Sequence, residues 1–153
     1  MLLNRVKTKN VKQGFTFVEF LLVIAAIAIL MIVLVEVIRP DEKLAATRNT
    51  ERRADVNTIL NAVYQYALDH SGQLPSAIKD IPLEICKTNA EDCSDLADLS
   101  VLTKDEKYLY ALPVDPIGES ADGTGYEILR TPGGRVNVIA PYAELGIKID
   151  VYK

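Results

Sequence analysis

Glu19 is the residue that most demands a chemical explanation. It is the only charged side chain in the run "FTFVEFLLVIAAIAILMIVLV", Phe15 to Val35. A carboxylate placed mid-bilayer costs about 2.5–3.5 kcal/mol, and less near an interface. Two chemistries accommodate it. The acid snorkels to headgroups or pairs within its own chain, or it neutralises a cation brought beside it. Gly14 lies just upstream, behind a short basic stretch. Proteolysis after Gly14 would give Phe15 a free ammonium group, four residues before Glu19. On a helix that spacing puts both charges on one face, about one turn apart. Gly suits such a cut because it has no Cβ, lies extended easily and resists helix formation.

Other residues with chemical potential are fewer. Cys86 and Cys93 flank six polar, turn-prone residues in "CKTNAEDC". In an exported head a disulfide persists, and closing so small a ring contributes roughly 2–3 kcal/mol. We expect the disulfide, with two free thiols as the alternative. Zinc wants about four ligands, and the chain has two Cys and one His. Asp115, Glu119 and Asp122 fall in the loop "VDPIGESADGTG", where oxygen ligands on Gly-rich turns suit calcium. Their spacing is not that of an ordered site, so a solvated acidic turn is the expectation. His70, at a helix end beside Ser71, is expected as a partner of the helix dipole rather than a general base. Arg48, Glu51, Arg52, Arg53 and Asp55 form a mixed cluster expected to face solvent in weak pairs. Gly133 and Gly134 belong to a turn, not to a phosphate loop. No catalytic constellation stands out, and the expected role is not enzymatic.

The elements that position these residues follow from pattern. The chain has 153 residues and a net charge of −4. Arg5, Lys7, Lys9 and Lys12 precede Phe15 and no acid does, so everything after Phe15 is net acidic. An acidic body argues against nucleic acid as a partner. The basic start places the N-terminus in the cytoplasm. Phe15 to Val35 would span about 30 Å as a helix, enough for a bilayer core. No small-residue cleavage site follows it, so the span is expected to be retained. Pro40 predicts a kink or a restart. Val56, Ile59, Leu60, Val63, Tyr64, Ala67 and Leu68 repeat at three and four, an amphipathic helix ended by Gly72 and Pro75. "LTKDEKYLYALPVDP" reads as a short helix broken by Pro113 and Pro116. "YEILR" and "RVNVIA" around "TPGG" predict a hairpin, and "IKIDVY" a third strand. The fold class is therefore α+β. Residues 1–14 are expected as a basic segment ahead of the span, 15–38 as a membrane-spanning helix, 39–70 as its amphipathic continuation, and 71–153 as a head with a three-stranded antiparallel sheet. A head this small depends on helix packing and on the disulfide.

The ordered set of basic leader, Gly14, Phe15, Thr16, Glu19 and uninterrupted span closely resembles the prepilin signal of type IV pilins and type II secretion pseudopilins. "YALDHSGQLPS" and "YLYALPVDP" also resemble phrases of pseudopilin heads. The resemblance implies that a membrane-embedded prepilin peptidase cuts between Gly14 and Phe15 and that Phe15 is N-methylated. It implies that Glu19 serves assembly, meeting the terminal ammonium of a neighbouring copy. The implied product is a homopolymer built through helix packing by pilus or secretion machinery. The subunit would start as a single-pass inner-membrane protein with its head extracytoplasmic, and end in a periplasmic or extracellular filament. Major pseudopilins bind calcium near the C-terminus, whereas the acidic loop here precedes the hairpin. Many pilins carry a Pro within the span where this chain has Glu36. The competing expectation is a single-span anchor displaying a binding domain that never polymerises.

Overall fold

The apolar run folds as helix α1, Phe17–Ile38. The computed structural model describes residues 14–153, so Arg5, Lys7, Lys9 and Lys12 lie outside the described residues. The chain divides into two units, one up to Pro40 and one from Asp41 to Lys153. In the first unit α1 is apolar all round and none of its residues is buried. A helix with no polar face needs an apolar surrounding, either lipid or other helices. At about 33 Å it is long enough to cross a bilayer core, and it is the one candidate span among the described residues. The helix starts two residues later than the sequence suggests, because Thr16 is its extended N-cap. It stops where Arg39 turns left-handed (φ 43°, ψ 67°) and donates its N–H to Val35 O at 3.3 Å. Helix α2 then runs Pro40–Asp69. Pro at a first helical position sacrifices only an N–H that has no intrahelical partner, so the restart at Pro40 is physically cheap.

In the second unit α2 buries Ala45, Asn49, Arg52, Val56, Ile59, Leu60, Ala62 and Val63. It ends as the glycine predicts. Gly72 takes φ +86° and donates to Ala67 O at 2.7 Å, a left-handed closure that favours glycine. The sheet has four antiparallel strands in the order β1-β2-β3-β4: Leu83–Cys86, Gly123–Arg130, Val136–Ile139 and Asp150–Tyr152. The hairpin β2–β3 forms as expected, with Arg130 opposite Val136. The sheet therefore exceeds the expected three strands by β1. "LEIC" sits among turn-prone residues and is four residues long, so it reads as part of the cysteine loop. Its register also shifts between Glu84 and Cys86. The last strand is shorter than "IKIDVY", though Ile149 still accepts from Ala140 N at 2.9 Å.

The core joins Val56, Ile59, Leu60 and Val63 of α2 to Tyr126, Ile128, Val136 and Val138 of the sheet. Each such aliphatic side chain contributes about 1.5–3 kcal/mol on full burial. Ile85, Leu99, Leu102 and Leu112 extend it beneath the connecting segment. That segment holds a short helix α3, Ser100–Thr103, and a 3-10 turn to Glu106. Helix therefore starts two residues before the expected stretch and ends within it, before Tyr108. Asp105 and Glu106 adopt left-handed φ values of 55° and 54°, which stop it without proline.

Candidate functional site

Two places concentrate chemistry. The first is the start of α1. Gly14 and Phe15 lie before the helix, exposed. A Cβ built on Gly14 meets nothing within 4 Å, so packing does not demand glycine there. Thr16 Oγ1 accepts from Glu19 N at 3.2 Å, and Thr16 N donates to Glu19 Oε2 at 3.5 Å. This is a capping box, the reciprocal arrangement that satisfies donors at a helix start. Phe15 is therefore not on the helix, and the expected one-turn relation to Glu19 gives way to a local pairing. The longer of the two bonds is at the edge of hydrogen-bonding range, so the carboxylate is loosely held by its own chain.

The second place was expected to be a solvated charge cluster, and the structure corrects that expectation. Arg52 is fully buried. Its Nε and Nη2 donate to Asp115 Oδ2 and Oδ1 at 2.6 and 3.0 Å, a bidentate pair. Its Nη1 donates to Glu144 Oε2 at 2.8 Å and to Asn49 Oδ1 at 3.0 Å. Arg48 grips the same Glu144 through Nε at 2.7 Å and through Nη2. The Asn49 side-chain amide donates to Glu144 O and accepts from Glu144 N, both at 2.9 Å. Asp115 also accepts from the N–H groups of Ile117 and Gly118. Two cations and two anions thus tie α2, the loop after Pro113 and the segment after Ala140 into one polar latch. Of the remaining cluster members, Asp55 accepts from the buried Tyr126 hydroxyl at 2.7 Å. Arg53 and Glu51 stay exposed, as expected.

The acidic loop residues are not gathered for a cation. Asp115 is spent on Arg52. Glu119 pairs with Lys87 at 2.8 Å, and Asp122 Oδ1 accepts from Glu91 N. No group of three metal-capable side chains occurs among the described residues. Cys86 and Cys93 form a disulfide, with Cα atoms 5.7 Å apart. His70 stacks on Tyr66, and its Nδ1 lies 2.8 Å from Tyr66 O in the last turn of α2.

The latch gives the head a pH dependence. Hydrogen bonds from Arg48 and Arg52 pull the Glu144 carboxyl from its ordinary 4.5 down to about 2. Burial pushes Asp115 up, but Arg52 and two backbone N–H groups outweigh it, so the net shift is downward. Carboxyls depressed on folding contribute stability above their unfolded values, and that stability is lost as pH falls through the folded ones. Asp55 acts oppositely, since burial raises it and acid relieves its cost. Asp69, Asp80 and Asp92 are also lowered by their hydrogen bonds, so five depressed carboxyls stand against Asp55, and the urea midpoint of the head is expected to fall between about pH 4.5 and pH 2. Glu144→Gln is expected to flatten that profile, and an unchanged profile in this variant would remove Glu144 as its cause. No protein-family model, no curated protein and no solved structure matches this chain.

Proposed function

We propose that this chain is the precursor of a filament subunit, a pilin or pseudopilin. In this reading it is cut between Gly14 and Phe15, N-methylated at Phe15 and polymerised through α1. One observation carries the reading. Every side chain of α1 is exposed, and its single carboxylate before Glu36 stands in the first turn, directly behind an accessible Gly14–Phe15 bond. Such a helix is stored in lipid and finds its second apolar surrounding among copies of itself. The disulfide-closed head supports display outside the cytoplasm. A single-span anchor with a non-polymerising head is the second reading. The capping box favours it, because Glu19 already has a partner in its own chain.

Mass spectrometry of the chain purified from its own membranes distinguishes them. The expected first residue is N-methylated Phe15. Gly14→Leu is expected to leave an uncut chain, larger by the leader's mass. The open space around Gly14 makes a packing explanation for that block untenable. A wild-type chain that retains residues 1–14 would refute the reading.

A further inference from the structure

We propose that the head carries a lipid-facing patch, formed by Leu44, Ile117, Tyr142 and Leu145, that rests on the headgroup layer of the membrane α1 crosses. The proposal rests on α1 being a membrane span and on neither polymerisation nor processing. These four side chains are 59, 57, 50 and 54 % exposed. The structure brings them to one end of the head. Glu144 pins its segment onto Arg48, Asn49 and Arg52 of α2, which places Leu145 beside that helix. Leu44 lies one turn before Arg48 on the same face. Gly118 leaves the space of a Cβ to the ring of Tyr142, and Ile117 is the adjacent residue in the chain. Leu145 is held at φ +60°, a conformation costly for a branched residue, yet its side chain is not buried for it.

Charge and chain length select lipid as the occupant. Beneath the patch, Arg48, Arg52, Asp115 and Glu144 neutralise one another, so approach to a low-dielectric layer strands no charge there. Asp41 and Glu42 lie just upstream, which fits zwitterionic headgroups better than anionic ones. Only the chain from Arg39 to Lys43 separates the end of α1 from Leu44. By chain length alone, Leu44 lies within about 20 Å of the last residue of α1. Tyrosine suits the headgroup layer, with an apolar ring and a wet hydroxyl. Tyr110, 80 % exposed, serves as the contrast. Its neighbour Tyr108 is bonded to Asp69 at the far end of α2.

The chain contains no tryptophan, so one introduced indole reports alone. Full-length Tyr142→Trp, Ile117→Trp, Tyr110→Trp and Leu30→Trp variants would be placed in phosphatidylcholine vesicles with and without brominated acyl chains. Expected are blue-shifted, bromolipid-quenched emission from the Tyr142→Trp and Ile117→Trp variants, strong quenching of Leu30→Trp, and none of Tyr110→Trp. Quenching of Leu30→Trp alone overturns the patch while sparing the span. Loss of quenching in Leu30→Trp as well overturns the span and the patch with it. A blue shift that grows with protein density, without bromolipid quenching, would assign the patch to a second copy and overturn lipid as its occupant. Ile117→Trp keeps the test decisive should Tyr142→Trp disturb the contact at Gly118.

Discussion

A chain carrying Glu19→Val is expected to insert into the membrane, to be cut after Gly14, and to enter no filaments. Insertion becomes easier, since a carboxylate costing up to about 2.5–3.5 kcal/mol in the bilayer is removed. On the proposed function, what is lost is the anion that a neighbour's new terminal ammonium requires once lipid is replaced by packed helices. An ammonium left unpaired there costs about 3–5 kcal/mol, at least a hundred-fold per docking event at 1.4 kcal/mol per decade. The paired state need not be strongly stabilising in net terms, and register is the benefit. The capping box supplies the control. Thr16→Ala removes the Thr16 side-chain acceptor for Glu19 N and leaves the charge, at about 1 kcal/mol of helix-start stability. It is expected still to assemble. Filament counts by electron microscopy, beside membrane fractionation and N-terminal mass, separate the cases. Normal filaments from Glu19→Val would end the assembly role of this residue.

Arg52→Ala is expected to destabilise the head by about 3–5 kcal/mol, because it strands Asp115 as a buried charge. That is a large share of the 5–15 kcal/mol typical of a domain. Pairing Arg52→Met with Asp115→Asn is expected to recover much of the loss. Asn keeps an acceptor for the Ile117 and Gly118 N–H groups while both charges disappear. Urea midpoints of the full chain in detergent, read by the circular dichroism of the head, measure this. An Arg52→Ala loss below about 1 kcal/mol, the size of an exposed pair, would mean that water reaches the latch.

Much of the architecture was legible because it rests on short-range chemistry. The span, the restart at Pro40, the stop at Gly72 and the hairpin around Pro132, Gly133 and Gly134 each follow from a few neighbouring residues. The Cys86–Cys93 disulfide follows from spacing. The latch does not, because Asp115 and Glu144 are remote in sequence from Arg52. A signal was nevertheless present. Ala45, Asn49, Arg52, Val56, Ile59 and Val63 continue one four-and-three spacing, so two polar residues occupy the stripe that otherwise makes the core. A polar residue in phase with an apolar stripe asks for a buried partner. The extra strand was hidden for another reason, since four residues between a proline and a disulfide loop carry too little alternation to be read. At the start of α1, Thr16 three residues before Glu19 is the spacing of a capping box, and it moves the helix start past Phe15.

The borders of the sheet limit how copies of this chain can associate. An open strand edge is a template on which another polypeptide adds its own strand. On β1 that margin is already taken, since Cys86 donates to Ala97 and Ala97 donates to Glu84, and the register shift interrupts the row. The opposite margin, β4, offers three residues. Strand-by-strand growth of the amyloid kind thus has little to grow from, even where heads are crowded side by side.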